Sequence, residues 1–266
     1  MSLEQPTSST SNMAIFADFE NVAIGAEQAK YSRFDISKVL ERVLVKGNVV
    51  VRKAYCDWQR YSKFKRDMHE ANFELIDIPH LRQSGKNSAD IRMVVDALDL
   101  AYTKPHIDTF VMISGDSDFS PLVSKLRENN KDVIGVGVKQ STSDLFVANC
   151  DEFIFYDDLV RRKPESKSRR QAKQSQEQRG GGDAKQYEAV ELVVDTVEAM
   201  LETRGEDDLL WGSMIKQAIK RKKPGFNESY YGFRGFNSVL EEARERGLLD
   251  LIPDERSGGY LVRLAD

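Results

Sequence analysis

Cysteine and histidine are scarce in this chain, and positive charge is not in excess. Its 266 residues hold two cysteines and three histidines, and the formal net charge is −4. Cys56 and Cys150 lie far apart and match no zinc or redox spacing, so they read as two buried thiols in a reducing compartment. His69, His80 and His106 show no spacing of ligands or of a proton relay. The acidic balance gives no global signal for nucleic acid, so any such binding must come from local patches. No apolar run approaches the roughly 18 residues of a membrane span. The opening "MSLEQPTSSTSN" lacks the basic-then-apolar plan of a secretory signal, and a cytoplasmic protein is expected.

Composition breaks sharply after "FIFYDDLV". Residues 161–186 contain nine Lys and Arg against Glu165, Glu177 and Asp183, with almost no apolar side chains. Such a segment cannot form a core and reads as a flexible basic linker. The expected organisation is a disordered 1–12, a first domain at 13–160, the linker at 161–186 and a second domain at 187–264.

In the first domain, short apolar runs alternate with helical patterns. "MAIFADF", "NVVVRKAYC", "FELIDIP", "TFVMISG", "DVIGVGV" and "FIFYDDL" read as strands. "DISKVLERVLVK", "RYSKFKRDMHEA", "SADIRMVVDALDLAY" and "SPLVSKLRENN" place apolar residues at three- and four-residue spacing. This alternation predicts an α/β fold with a parallel sheet flanked by helices. Ligands of such sheets sit outside the carboxyl ends of the strands, so functional residues should come just after the strand runs.

Aspartates occupy those places. Asp18 ends the first run, Asp116 and Asp118 come after "TFVMISG", and Asp90 opens the helix of "SADIRMVVDAL". Clustered carboxylates stay ionised only beside a cation, or else one keeps a proton. Oxygen ligands of this hardness select Mg²⁺ or Mn²⁺. Asp90 and Asp118 also precede helices and could be plain N-caps. Asn21 could orient a water or a phosphate, or close its turn. Asp96 lies about 240° round the helix from Asp90 and ranks lower. Lys86, in a polar loop, could hold a phosphate or be a solvated loop lysine. Arg60 and Lys63 stand with Lys65, Arg66, Trp58 and Tyr61, a mixture that suits single-stranded nucleic acid, although an ordinary solvated helix face is the preferred reading. A haloacid-dehalogenase reading fails on its own motif, because the required Asp, Asp and Thr positions hold Asp18, Glu20 and Val22.

After the linker, "QYEAVELVVDTVEAMLETRG", "WGSMIKQAIKRKKPGF" and "GFNSVLEEARERG" predict three helices. "LLDLIPDERSGGYLVRL" predicts two strands about a turn. Together they describe a small winged helix–turn–helix. Lys216, Lys220, Arg221, Lys222, Lys223 and Arg234 form a basic stripe near Tyr230, Tyr231 and Phe236. Phosphate contacts from that stripe would give salt-dependent affinity. Phe233 and Phe236 are expected to divide between core and surface.

"IFADFENV", "GKNSADIRMVVDAL", "TFVMISGDSDFSPLVSKLRENNKDVIGVGV" and "ANCDEFIFYDDLV" resemble the NYN domain of the LabA-like family, a branch of the PIN-like nucleases. The resemblance covers residues 13–160. It implies a Rossmann-like fold and metal-dependent RNA cleavage, with Asp18, Asp90, Asp116 and Asp118 holding Mg²⁺ or Mn²⁺ and Asn21 assisting. Residues 187–264 resemble a LOTUS (OST-HTH) domain, a winged helix associated with RNA binding. The implied function is a metal-dependent endoribonuclease that recruits single-stranded or structured RNA through its tail. The rival is an RNA-binding or regulatory scaffold that does not turn over. A homodimer or a protein partner through the C-terminal domain is a further expectation.

Overall fold

The computed structural model describes residues 11–79, 87–161, 181–204, 208–254 and 258–265, and they group into two compact units. The first comprises most of the chain up to Arg161. Residues 41–46 group with the second unit, together with the described residues from 181 onward.

The first unit is built on β1 (Ser11–Asp18), β2 (Gly47–Cys56), β3 (Glu74–Asp77), β4 (Thr109–Ile113), β5 (Asp132–Gly137) and β6 (Glu152–Phe155). They form one sheet in the order β3-β2-β1-β4-β5-β6, every pair parallel. The helices of this part of the chain are α1 (Phe19–Gln28), α2 (Ile36–Val43, its residues from Glu41 grouped with the second unit), α3 (Lys65–Glu70), α4 (Ser88–Thr103), α5 (Ser120–Glu128), α6 (Asp144–Asn149) and α7 (Tyr156–Val160).

The apolar runs become central strands because both faces of the sheet are covered. All five residues of β4 are buried. On one face Ala14, Phe16, Phe110 and Met112 pack with Met93 and Ala97 of α4, Leu122 and Val123 of α5, and Phe146 of α6. The alternate residues Met13, Ile15, Val111 and Ile113 are equally buried on the other face. The six expected strands are all present.

Four boundaries differ from the sequence reading. β1 begins at Ser11, inside the expected disordered segment, because Ser11 and Asn12 pair in register with Gly47 and Asn48. Residues 1–10 lie outside the described residues. The strand read as "FIFYDDL" ends at Phe155, and Tyr156 opens α7. "FENVAIGAEQ", given no element, is α1. Residues 181–186, read as linker, are the first turns of the next helix, while 162–180 lie outside the described residues.

The second unit contains α8 (Gly181–Arg204), β7 (Leu210–Trp211), α9 (Gly212–Lys222), α10 (Phe236–Glu245), β8 (Leu249–Asp254) and β9 (Gly259–Leu264). Its three strands run antiparallel in the order β7-β9-β8. Val190, Val193, Val197 and Leu201 line one side of α8. They pack with Ile215 and Ile219 of α9, Val239 and Leu240 of α10, and Val262 of β9. Phe233 and Phe236 both join this core, at 7% exposure each, rather than dividing between core and surface. Among the described residues no helix is long and apolar enough to cross a membrane.

Candidate metal centre

The strand order reverses direction at β1. Successive strands β2 and β3 lie on one side of it, and β4, β5 and β6 on the other. Such a switch point leaves a crevice at the carboxyl ends of the strands. Register fixes which residues stand there. Asp18, the last residue of β1, pairs with Tyr55 of β2, and Ala17 pairs with Ile113 of β4. The segments leaving all three strands therefore open on the same place.

A cleft of about 300 Å³ occupies it. Asp18, Glu20, Asn21, Asp57, Asp90 and Asp116 supply its polar wall, with Ile24, Tyr55, Cys56, Ile78 and Ala89 completing it. No lysine or arginine stands among these lining residues.

Each acid is placed by local structure. Asp18 caps α1, its Oδ1 accepting the Asn21 N–H at 3.3 Å, and its Oδ2 accepts the Ser114 hydroxyl at 3.0 Å. Ser114 Oγ in turn accepts the Asp116 N–H at 3.2 Å. Asp116 Oδ1 accepts the Asp118 N–H at 2.9 Å and caps the short turn before α5. Asn21 Oδ1 accepts the Gly115 N–H at 2.9 Å. The capping role thus falls to Asp18 and Asp116. Asp90 is the third residue of α4, whose cap position is Asn87, so its carboxylate is not a cap.

This crowding sets the electrostatics. Burial, the Asp90 charge and, more weakly, Asp116 push Asp18 up to about 7, against the opposing hydrogen bonds of Asn21 and Ser114. Burial raises Asp90 as well, helped by Asp116, Asp118 and Glu20. A site that holds a proton on a carboxylate near neutral pH is short of positive charge.

Three of the four expected ligands, Asp18, Asp90 and Asp116, meet on the cleft wall. Asp118 is exposed and absent from the lining, although its charge still acts on Asp90. Glu20 and Asp57 were not foreseen. Asp57 comes directly after β2, so the rule that found Asp18 and Asp116 would have found it too. Asp96 stands apart, accepting from Tyr55 Oη at 2.9 Å, Lys53 Nζ at 3.2 Å and Arg92 Nε at 3.0 Å.

The all-oxygen, strongly anionic donor set fits a hard divalent cation. Among the described residues no three His, Cys, Asp or Glu side chains converge closely enough to ligate an ion together. That spacing suits a hydrated ion carried by one or two carboxylates, the ordinary mode of Mg²⁺. One or two of Asp18, Asp90 and Asp116 would hold such an ion directly, and the remaining acid would reach it through its waters.

Comparison with known proteins agrees with this architecture. A family model described as the NYN domain matches residues 12–157. The chain belongs to the NYN domain family. NYN domains fall in the PIN-like nuclease superfamily. An archaeal relative, the uncharacterized protein MJ0482 of Methanocaldococcus jannaschii, is 26% identical over 145 residues, 52% of this chain. The match spans 57% of that relative's length. The crystal structure of a protein of unknown function, VPA0982 from Vibrio parahaemolyticus, superposes with a TM-score of 0.51 at 28% identity. It covers 58% of this chain and 98% of the other.

The expected RNA contacts of the NYN unit divide between surface and core. Arg60 pairs with the cleft residue Glu20 at 3.2 Å. Lys63 is exposed, its ammonium 5.1 Å from the Phe64 ring centroid. Trp58 is a core residue at 1% exposure, 5.0 Å from the Phe19 ring, and offers no stacking surface. Lys86 and His80 lie outside the described residues. Cys56 is buried, whereas Cys150 is only half-buried, and both thiols are free. In the second unit Lys216 pairs with Glu228 at 2.8 Å and Lys223 with Glu188 at 3.0 Å. Arg221 donates to the carbonyls of Leu44 and Val45 at 2.8 and 3.0 Å. Lys222 is half-buried, Tyr231 is buried, and Lys220, Tyr230 and Arg234 are exposed.

Proposed function

We propose that this NYN protein is a metal-dependent endoribonuclease of the LabA-like type, with a LOTUS (OST-HTH) winged helix that recruits RNA. One observation carries the reading. Three segments distant in sequence deliver Asp18, Asp90 and Asp116 to one cleft at the switch point of a parallel sheet.

Bound there, Mg²⁺ or Mn²⁺ supplies the positive charge that acidifies a water and offsets the anionic phosphodiester. The chain's residues do the rest. One or two of Asp18, Asp90 and Asp116 would bind the cation directly and the rest through its waters, and Ser114 and the Asn21 N–H fix the orientation of the Asp18 carboxylate. The Asn21 side-chain oxygen is engaged by Gly115, which leaves its amide nitrogen as the donor to a phosphate or a water. Arg60, paired with the cleft residue Glu20 at 3.2 Å, is a cation available to a phosphate beside the cleft.

The second unit supports recruitment through Lys220, Arg234 and Tyr230, which are exposed, with Lys223 exposed beside them and paired to Glu188. Tethering a second RNA contact to the cleft raises the local concentration of substrate without tightening either site.

The test is cleavage of matched RNA and DNA oligonucleotides by the full chain in EDTA, Mg²⁺ and Mn²⁺. Metal-dependent RNA cleavage that is lost in Asp116→Asn and Asp90→Asn is expected. If the wild type binds RNA without cutting it in any metal, and Asp116→Asn binds equally well, the scaffold reading replaces this one. Lys220→Glu with Arg234→Glu should weaken RNA binding and reduce its salt dependence.

A further inference from the structure

α4 is apolar on two sides. Its inner face, Met93, Ala97 and Ala101, is buried against the sheet. Its outer face carries Ile91, Val95 and Tyr102, at 62%, 55% and 61% exposure. These positions, with Leu98 between them part-buried against the inner core and the Tyr102 hydroxyl accepting from Asn129 at 3.3 Å, match the i, i+4, i+7, i+11 spacing of a helix-pairing seam. A helix with solvent on its outer side ordinarily shows charged and polar residues there.

The charges beside the stripe are arranged with opposite signs at its two ends. Arg92 lies near the start and Asp99 toward the end, both exposed. An antiparallel two-fold pairing of α4 with α4 of a second copy sets Ile91 against Tyr102 of that copy and Val95 against its Leu98. The same operation brings Arg92 beside the second copy's Asp99, and Asp99 beside its Arg92. In a parallel pairing this flank falls on opposite sides of the seam in the two copies, so Arg92 and Asp99 would not meet. Arg92 already donates to Asp96 at 3.0 Å within its own chain, and the remaining guanidinium donors stay available for a second carboxylate.

We infer that the outer face of α4 is a homodimer interface, isologous and antiparallel. A patch on a two-fold axis must be complementary to itself, and this stripe is so in both apolar content and charge. The seam runs about 16 Å along the helix. It is small against the roughly 800 Å² per partner of a standard interface, so the dimer is a weak one in equilibrium with monomer. Because Asp90 precedes Ile91, the pairing sets one carboxylate cleft at each end of the seam.

Sedimentation velocity of the full chain across a concentration series tests this directly. A monomer–dimer equilibrium is expected. Val95→Lys, at a site already exposed and so neutral for folding, should raise the dissociation constant by about tenfold or more. Asp99→Arg should do the same by facing Arg92 of the second copy, and adding Arg92→Glu should restore association. Circular dichroism verifies that each variant keeps its helices. A wild type that stays monomeric at every concentration overturns the inference. So does a dimer indifferent to Val95→Lys, or a charge swap that fails to rescue. If the wild type is monomeric and Val95→Lys instead alters RNA affinity, the stripe is a nucleic-acid contact.

Discussion

The side-chain oxygen of Asn21 accepts the Gly115 N–H at 2.9 Å, joining the first turn of α1 to the loop after β4. A second bond, from the Ser114 hydroxyl to Asp18 at 3.0 Å, crosses between the same two segments. Together they bridge the switch point of the sheet. The cleft acids are therefore oriented by the chain itself.

Asn21→Ala removes the side-chain acceptor of the Gly115 N–H, and Gly115 is buried. An unpaired buried donor costs about 1–3 kcal/mol. The variant should unfold at lower denaturant with an unchanged slope. Asn21→Asp keeps the acceptor, so it should lose less stability at low pH and more at neutral pH, where another charge enters an already anionic cleft. Equal losses in the two variants at all pH values would refute the assigned role.

Gly115 is required by close approach, not by its backbone angles. A Cβ at this position would lie 2.5 Å from the Ser141 carbonyl oxygen and 2.9 Å from Thr142 Cα, both backbone atoms. Gly115→Ala must push two loops apart, which costs about 1–3 kcal/mol in a packed region. Asp116 moves with its neighbour. Cation binding by calorimetry should weaken more in Gly115→Ala than in an exposed control of equal stability.

The raised Asp18 has a definite signature in stability. Its unfolded value is 3.8 and its folded value about 7. Between those values the folded chain retains a proton that the unfolded chain has released. Stability from this group therefore falls as pH rises through the window and is level on either side. Asp18→Asn abolishes that slope and should stabilise the chain at pH 8 by about 1–3 kcal/mol, as a shift of this size allows. Denaturant melts at several pH values measure it. A cation that binds Asp18 must displace the proton, so Mn²⁺ affinity should rise with pH up to about 7 and then level off. A pH-independent affinity would remove Asp18 from the ligand set.

Much of this site was legible because parallel strands announce themselves. β1, β4 and β5 are buried on both faces, so each is a continuous apolar run, and the residues just beyond each run are candidates by position alone. α1 was hidden by Gly25, which lowers helix propensity. Only the structure shows its reason, since a Cβ there would meet Ser141 Oγ at 2.2 Å. Trp58, Phe233 and Phe236 sit among basic residues in sequence yet are buried. Neighbouring charges do not reveal which way a ring points, because that depends on packing from distant segments. The loss of Asp118 from the cleft wall has a similar origin. Its N–H is tied to Asp116 in a tight turn, and that turn departs from the extended spacing that would aim both acids alike.

Tyr55 and Asp96 offer a final test of how the cleft is held open. Tyr55 lines the cleft from β2, and its hydroxyl donates to Asp96 of α4, the helix that also supplies Asp90. Burial pushes Asp96 up. The hydrogen bonds of Tyr55 and Lys53 and the charges of Lys53 and Arg92 outweigh it, holding the carboxyl below its ordinary range. That contribution to stability is present at neutral pH and lost as pH falls through the folded value. Asp96→Asn should therefore destabilise at pH 7 and lose its effect in acid. Tyr55→Phe removes one donor while leaving Lys53 and Arg92, so its cost is the smaller, about 1 kcal/mol. In a double-mutant cycle the pair should couple by about 0.5–3 kcal/mol, the range for groups in one network. Because this network fixes α4 against β2, both variants should also weaken Mn²⁺ binding although neither residue is a proposed ligand. Full retention of Mn²⁺ affinity in both would mean that Asp90 is placed by the start of α4 alone.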